Sequence, residues 1–149
     1  MVQANIAYSE HAMTLRGLHY QEAPHAEAKL LRCLSGAVYD VVIDLRPDSP
    51  TYKHWLGTEL TARDQAMIYV PEGFAHGYLT LQDNTEVFYQ VSKFYAPAAE
   101  KGIRWDDPAF AIEWPARGEL IMSDKDRGWR DFEEAVTRGE LAGQEAGGP

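Results

Sequence analysis

The chain has 149 residues and a formal net charge of −9. That acidity argues against a nucleic-acid backbone or an anionic membrane as the main partner, while leaving room for a local cluster of Arg and Lys around one phosphate group. Four Trp and eight Tyr in a 45% hydrophobic composition supply the material of a core, so the length reads as one ordered domain. The expected division is a single domain over residues 1–142, followed by a flexible tail over residues 143–149, within the closing stretch AGQEAGGP of residues 142–149.

One cysteine, Cys33, permits no intrachain disulfide and fits a reducing, cytoplasmic setting. It lies in the apolar run KLLRCLS, where a buried small hydrophobe is a commoner fate than a nucleophile. No apolar stretch approaches the roughly 20 residues of a membrane helix. The opening residues do not read as a signal peptide.

In chain order, residues 14–21 (TLRGLHYQ) come first, as a short extended segment carrying Arg16, His19 and Gln21. Gly17 allows close backbone approach there, and His19 can take and give a proton near neutral pH. A structural histidine near a sheet edge is the bland alternative. Lys29 follows, beside the apolar run. Inside a cavity it would be a fixed positive charge suited to an enolate oxygen; a solvent-facing lysine is the default.

Residues 37–45 (AVYDVVIDL) alternate at period two, Tyr39, Val41, Ile43 and Leu45 against Asp40 and Asp44. Residues 66–70 (AMIYV) and 78–82 (YLTLQ) are short β-rich runs. Residues 86–93 (EVFYQVSK) put Val87, Tyr89 and Val91 on one face. If that face is interior, the Tyr89 phenol points into the cavity; a core tyrosine with its hydroxyl on backbone is the alternative. Ser35-Gly36, RPDSP, TARDQ, PEG and DNT mark turns at short intervals. Many short strands with close turns imply an all-β fold, an antiparallel sandwich or barrel.

Within PEGFAHG, a Pro-x-Gly turn followed by His76 is the kind of turn that delivers a histidine into the mouth of a cupin, the double-stranded β-helix or jelly-roll barrel. The metal ligands of such proteins are incomplete: His19 has Gly17 and Gln21 as its i±2 neighbours, His25 and His54 lie in polar, turn-like contexts, and His11 lies in the polar start of the chain. No metal is therefore expected. SDKD, residues 123–126, offers a carboxylate that would orient His19 or an exposed charge run capping a helix. A helix is expected over residues 127–141, with Asp126 as its N-cap.

In order and together, TLRGLHYQ, KLLRCLSGAVYDVVIDLRPDSPTYKHWLG, IYVPEGFAHGYLTL, EVFYQVSKFYAPAAEKGIRWDDPAFAIEWP and SDKD resemble the dTDP-4-dehydrorhamnose 3,5-epimerase family, over about residues 2–126. The resemblance implies a cupin-type barrel, a homodimer without cofactor, and a nucleotide-sugar substrate, most simply dTDP-linked. It implies that His19 removes the proton next to the C4 ketone, partnered by Asp126. Lys29 would stabilise the enolate oxygen, and Tyr89 would return a proton from the opposite face. Arg16 and Gln3 would hold the diphosphate and sugar, His76 would line the sugar site, and Tyr95 matches an aromatic position near the nucleotide. Asn5, Gln21 and Lys125 complete the substrate-binding set.

The family carries a further N-terminal segment ahead of the residues matching MVQAN, one that reaches the partner's nucleotide site. Three origins of that difference are open: a start assigned too late, a natural short form, or another nucleotide sugar. Weaker nucleotide binding is the expectation, with dimerisation through the remaining sheet face. A C3-only epimerase, a ketoisomerase of another nucleotide sugar, and a non-catalytic sugar-nucleotide-binding barrel are the alternatives.

Overall fold

Period two governs the molecule. The computed structural model describes residues 1–132. Among them are the strands β1 (Gln3–Ser9), β2 (Leu15–Gln21), β3 (Lys29–Ser35), β4 (Ala37–Asp44), β5 (Trp55–Thr61), β6 (Ile68–Val70), β7 (Phe74–Thr80), β8 (Thr85–Val91) and β9 (Glu100–Gly102), and one short helix, α1 (Asp124–Arg127). They form two antiparallel sheets, ordered β1-β8-β3-β6 and β5-β4-β7-β2-β9. This is the cupin-type jelly-roll barrel.

Leu31, Cys33, Val70 and Val87 of the first sheet meet Val38, Leu60 and Tyr78 of the second in the space between the sheets. The outer face of the second sheet is covered too. There Leu18, Val41, Ile43 and Ala75 pack beneath Ile103, Phe110 and Phe132 from the chain after β9. Asp107 holds that cover down: it is 1% exposed, and its carboxylate accepts from the amides of Ala109 at 2.9 Å and Phe132 at 2.7 Å.

Because β4 is buried on both faces, its two aspartates are interior: Asp40 is 0% and Asp44 2% exposed. The alternation in AVYDVVIDL therefore separates two buried faces rather than a core face from a wet one. Cys33 is buried, its Sγ donating to Ser35 O, and burial raises its thiol pKa.

Some boundaries depart from the expectations. The run expected as a strand from residue 78 begins four residues earlier, at Phe74, directly after the Pro71–Gly73 turn in which Gly73 takes φ +83°. Strands β3 and β5 carry no clean alternation, and β1 alternates with its apolar Ile6 and Tyr8 exposed. Asp126 is not an N-cap. Ser123 caps α1, its Oγ accepting from the amide of Asp126 at 3.1 Å. The helix expected over 127–141 does not start at Arg127, which ends α1; residues 133–141 of that span, and the tail at 143–149, lie outside the described residues.

Candidate functional site

Strand β2 brings the first group to the cavity. Gly17 has φ +115°, and a Cβ there would sit 2.6 Å from Gly77 Cα, so only glycine allows β2 and β7 to approach this closely. The register shifts between Arg16 and His19, and His19 then faces His76 across the β2–β7 pair.

His19 Nε2 lies 2.5 Å from Asp126 Oδ1. The same carboxylate takes the Gly17 amide on Oδ2 at 3.3 Å. Burial works to raise the pKa of Asp126, but the hydrogen bonds from His19 and Gly17, with Ser123 contributing, hold it below the ordinary value. An ionised carboxylate only accepts. Nε2 of His19 therefore carries a hydrogen, and in the neutral ring Nδ1 is the lone-pair nitrogen.

The opposite sheet supplies the facing wall. Lys29 of β3 and Tyr89 of β8 line the same cavity as His19, with a volume of about 710 Å³. Burial raises the phenol pKa of Tyr89, Glu27 adds to the rise and Arg16 opposes it, so Tyr89 stays protonated at neutral pH and is competent as an acid. Lys29 Nζ stands 3.4 Å from Glu27 Oε1, with 13% of the lysine side chain exposed.

A second cavity of about 360 Å³ shares His19, Lys29, Tyr89 and Lys125 with the first, and adds Gln3, Asn5 and Tyr95. Lys125 Nζ donates to Glu100 Oε1 at 2.8 Å, and Tyr95 donates to Glu100 Oε2 at 2.7 Å. Gln21 also lines this space, yet both ends of its amide serve the chain itself: Oε1 accepts from the Ala96 amide at 2.6 Å and Nε2 donates to His25 O at 3.0 Å. Arg16 lines the first cavity, with its guanidinium on Tyr8 O and Ser9 Oγ.

The structure adds partners and neighbours that the sequence reading missed. His76 Nε2 lies 2.8 Å from Asp40 Oδ2, forming a second His–Asp pair on the cavity wall. Tyr78, beside it, is 6% exposed and burial pushes its pKa up to about 12. Glu27 and Glu100 partner the two lysines of the cleft. The aspartate in AVYDVV was the one available signal, a charge at an alternate position of a strongly apolar strand. With both histidines committed to carboxylates, no group of three His, Cys, Asp or Glu side chains among the described residues is placed to hold a metal ion.

Known proteins of one family resemble the chain in sequence and in fold. The family profile for dTDP-4-dehydrorhamnose 3,5-epimerase matches residues 1–134. The enzyme of that name from Sinorhizobium fredii is 44% identical over 126 residues, covering 85% of this chain and 65% of its own length. The crystal structure of the Bacillus anthracis enzyme, with TDP and PPi bound, is 46% identical at a TM-score of 0.84, covering 87% of this chain and 73% of that one. The Mycobacterium tuberculosis epimerase superposes at a TM-score of 0.89 with 42% identity, covering 94% and 70%. The chain spans 65%, 66% and 61% of the length of three curated relatives, less than two thirds of each.

Proposed function

The chain belongs to the dTDP-4-dehydrorhamnose 3,5-epimerase family, and from that premise we propose that it epimerises a nucleotide-linked 4-keto-6-deoxy sugar. One observation carries the reading. His19, paired with Asp126 of α1, and the Tyr89 phenol stand on opposing sheets, and all three line one cavity. Inversion at a carbon next to a ketone needs a proton taken from one ring face and returned to the other.

In this reading His19 Nδ1 removes the proton and Asp126 steadies the imidazolium that forms. Lys29 Nζ stabilises the enolate oxygen, and Tyr89 donates from the far wall. Each such acid or base contributes roughly 10²–10⁴ in rate. The larger cavity takes the sugar, with His76 on its wall. The smaller takes the nucleotide diphosphate, between Gln3, Asn5, Tyr95 and Lys125. For a dianionic ligand there, Lys125 must exchange Glu100 for phosphate. The substrate class follows the TDP bound to the Bacillus anthracis relative.

A homodimer is part of the proposal. Ile6, Tyr8 and Tyr69, 62%, 51% and 59% exposed, lie on the outer side of the first sheet, an apolar face of the kind that marks an interface. A cytoplasmic setting accords with the lone buried Cys33.

The test is solvent deuterium wash-in at C3 and C5 of dTDP-4-keto-6-deoxyglucose, followed by NMR. Label at both carbons is expected. Label at C3 alone would make the protein a monoepimerase, and label at neither would refute the reading.

A further inference from the structure

We infer that Trp129 is a positioning residue for His19, standing where the side chain of a cross-strand neighbour would stand. The strand partner of His19 on β9 is Gly102, which has no side chain to pack beside the imidazole. The indole fills that place. A Cβ on Gly102 would lie 2.0 Å from Trp129 Cε2 and 2.3 Å from its Nε1, so the glycine lets the ring lie on the backbone of β9. From there the indole meets His19 at an interplanar angle of 66° and 6.3 Å between centroids, the T-shaped arrangement that aromatic pairs favour.

Trp129 is itself anchored on both sides. Before it, the Gly128 amide donates to Asp124 O and Lys125 O. After it, the Phe132 amide donates to Asp107. With Asp126 at Nε2 and the indole at the side of the ring, the rotation of the imidazole about its two torsions is restricted. A base held to within a fraction of an ångström gains much of its rate from that restriction, and a misplacement of about 1 Å can cost about 10²-fold. Among the described residues no hydrogen-bond partner meets the buried Trp129 Nε1, so the packing against His19 is made by the ring rather than by its N–H.

The inference rests on the epimerase reading for its kinetic consequence, so a first readout avoids activity. Charged imidazole quenches a neighbouring indole. The fluorescence of Trp129, taken as the difference between the wild type and W129F, is expected to step with pH in register with the NMR titration of the His19 ring. The step should vanish when the same difference is taken in a His19→Asn background. Asp126 and Lys125 of α1, Glu100 of β9, Lys29 of β3, Tyr89 of β8 and His76 of β7 share the cavities with His19, and that background removes His19 alone while leaving them in place. Persistence of the step without His19 overturns the inference.

The second readout is kinetic. W129A is expected to lower kcat about tenfold with KM within twofold of the wild type, while W129F keeps kcat within twofold. Gly102→Ala, which drives the indole off β9, should reproduce the kcat loss and covers the case in which W129A does not fold. Wild-type kcat in both W129A and Gly102→Ala, or equal losses in W129A and W129F, would overturn the positioning role. Absence of turnover in the wild type would refute the epimerase reading, and the fluorescence step would then decide the inference by itself.

Discussion

Replacing Asp126 by Asn exchanges one oxygen for an amide and removes the charge that faces His19. Two donors converge on the native carboxylate, the imidazole at Oδ1 and the Gly17 amide at Oδ2, and Asn has only one oxygen to offer them. If that oxygen turns to Gly17, the side-chain NH₂ faces Nε2. The imidazole then shifts its hydrogen to Nδ1 and loses the lone pair that acts as base. If the oxygen turns to His19, two N–H groups oppose each other at Gly17. Either way one charge-assisted hydrogen bond is lost, worth about 1.5–3 kcal/mol, which is about 10- to 150-fold at about 1.4 kcal/mol per decade. The tautomer penalty places the expectation near the upper end, about 100-fold in kcat. KM should change by less than about threefold, because Asp126 stands behind the base rather than against the nucleotide. The assay is single-turnover deuterium wash-in at saturating substrate, with thermal unfolding as the control on the fold. A folded Asp126→Asn protein that exchanges at more than a third of the wild-type rate would refute the dyad.

Tyr89→Phe leaves the base in place, so inverted product should fall by about 10²-fold or more, while deuterium exchange with the original configuration persists. Normal inversion would reduce Tyr89 to packing. Since burial raises its pKa, the alkaline limb of the wild-type rate profile is expected above about 10, the ordinary phenol value. A limb below that would assign the acid to another group. Asp44 offers a test of stability: its carboxylate takes the Arg46 guanidinium, Ser49 Oγ and Thr51 Oγ1, and the Arg46 bond foremost holds its pKa far below the ordinary carboxylate value. A depressed folded-state pKa gives stability that is complete above about 3.9 and lost as pH falls below it. Asp44→Asn should therefore lower the unfolding midpoint at pH 7, and the gap to wild type should narrow at pH 3. An equal gap at both pH values would show that the charge is not what stabilises the loop.

Local chemistry made part of this molecule legible. The alternation of residues 37–45 and 86–93 and the Pro-Glu-Gly turn follow from backbone geometry acting over a few residues, and they stand in β4, β8 and the bend before β7. The need for glycine at residue 17 was readable for the same reason. Strand β1 was not, because its pattern is inverted: Gln3 and Asn5 face the cleft while Ile6 and Tyr8 face out. A period that equates polar with wet misreads a strand whose polar side lines a cavity. Strand β3 hid in a nearly continuous apolar run.

The order of the sequence blocks was enough to place the chain in its family, since each motif sits at its own strand or turn. The partnerships were decided by tertiary structure. His76 lies 36 residues from Asp40. Only the antiparallel register that sets Val42 against His76 and Asp40 against Tyr78 turns two separated residues into a pair. Asp126, 107 residues from His19, read locally as a helix cap; Ser123 takes that role and frees the carboxylate for the histidine. Trp129 carried no signal, because its place beside His19 exists only where β9 pairs with β2 and presents a glycine. Side chains so far apart in the chain meet through sheet register, and register is set by the burial of whole faces rather than by any short stretch of residues.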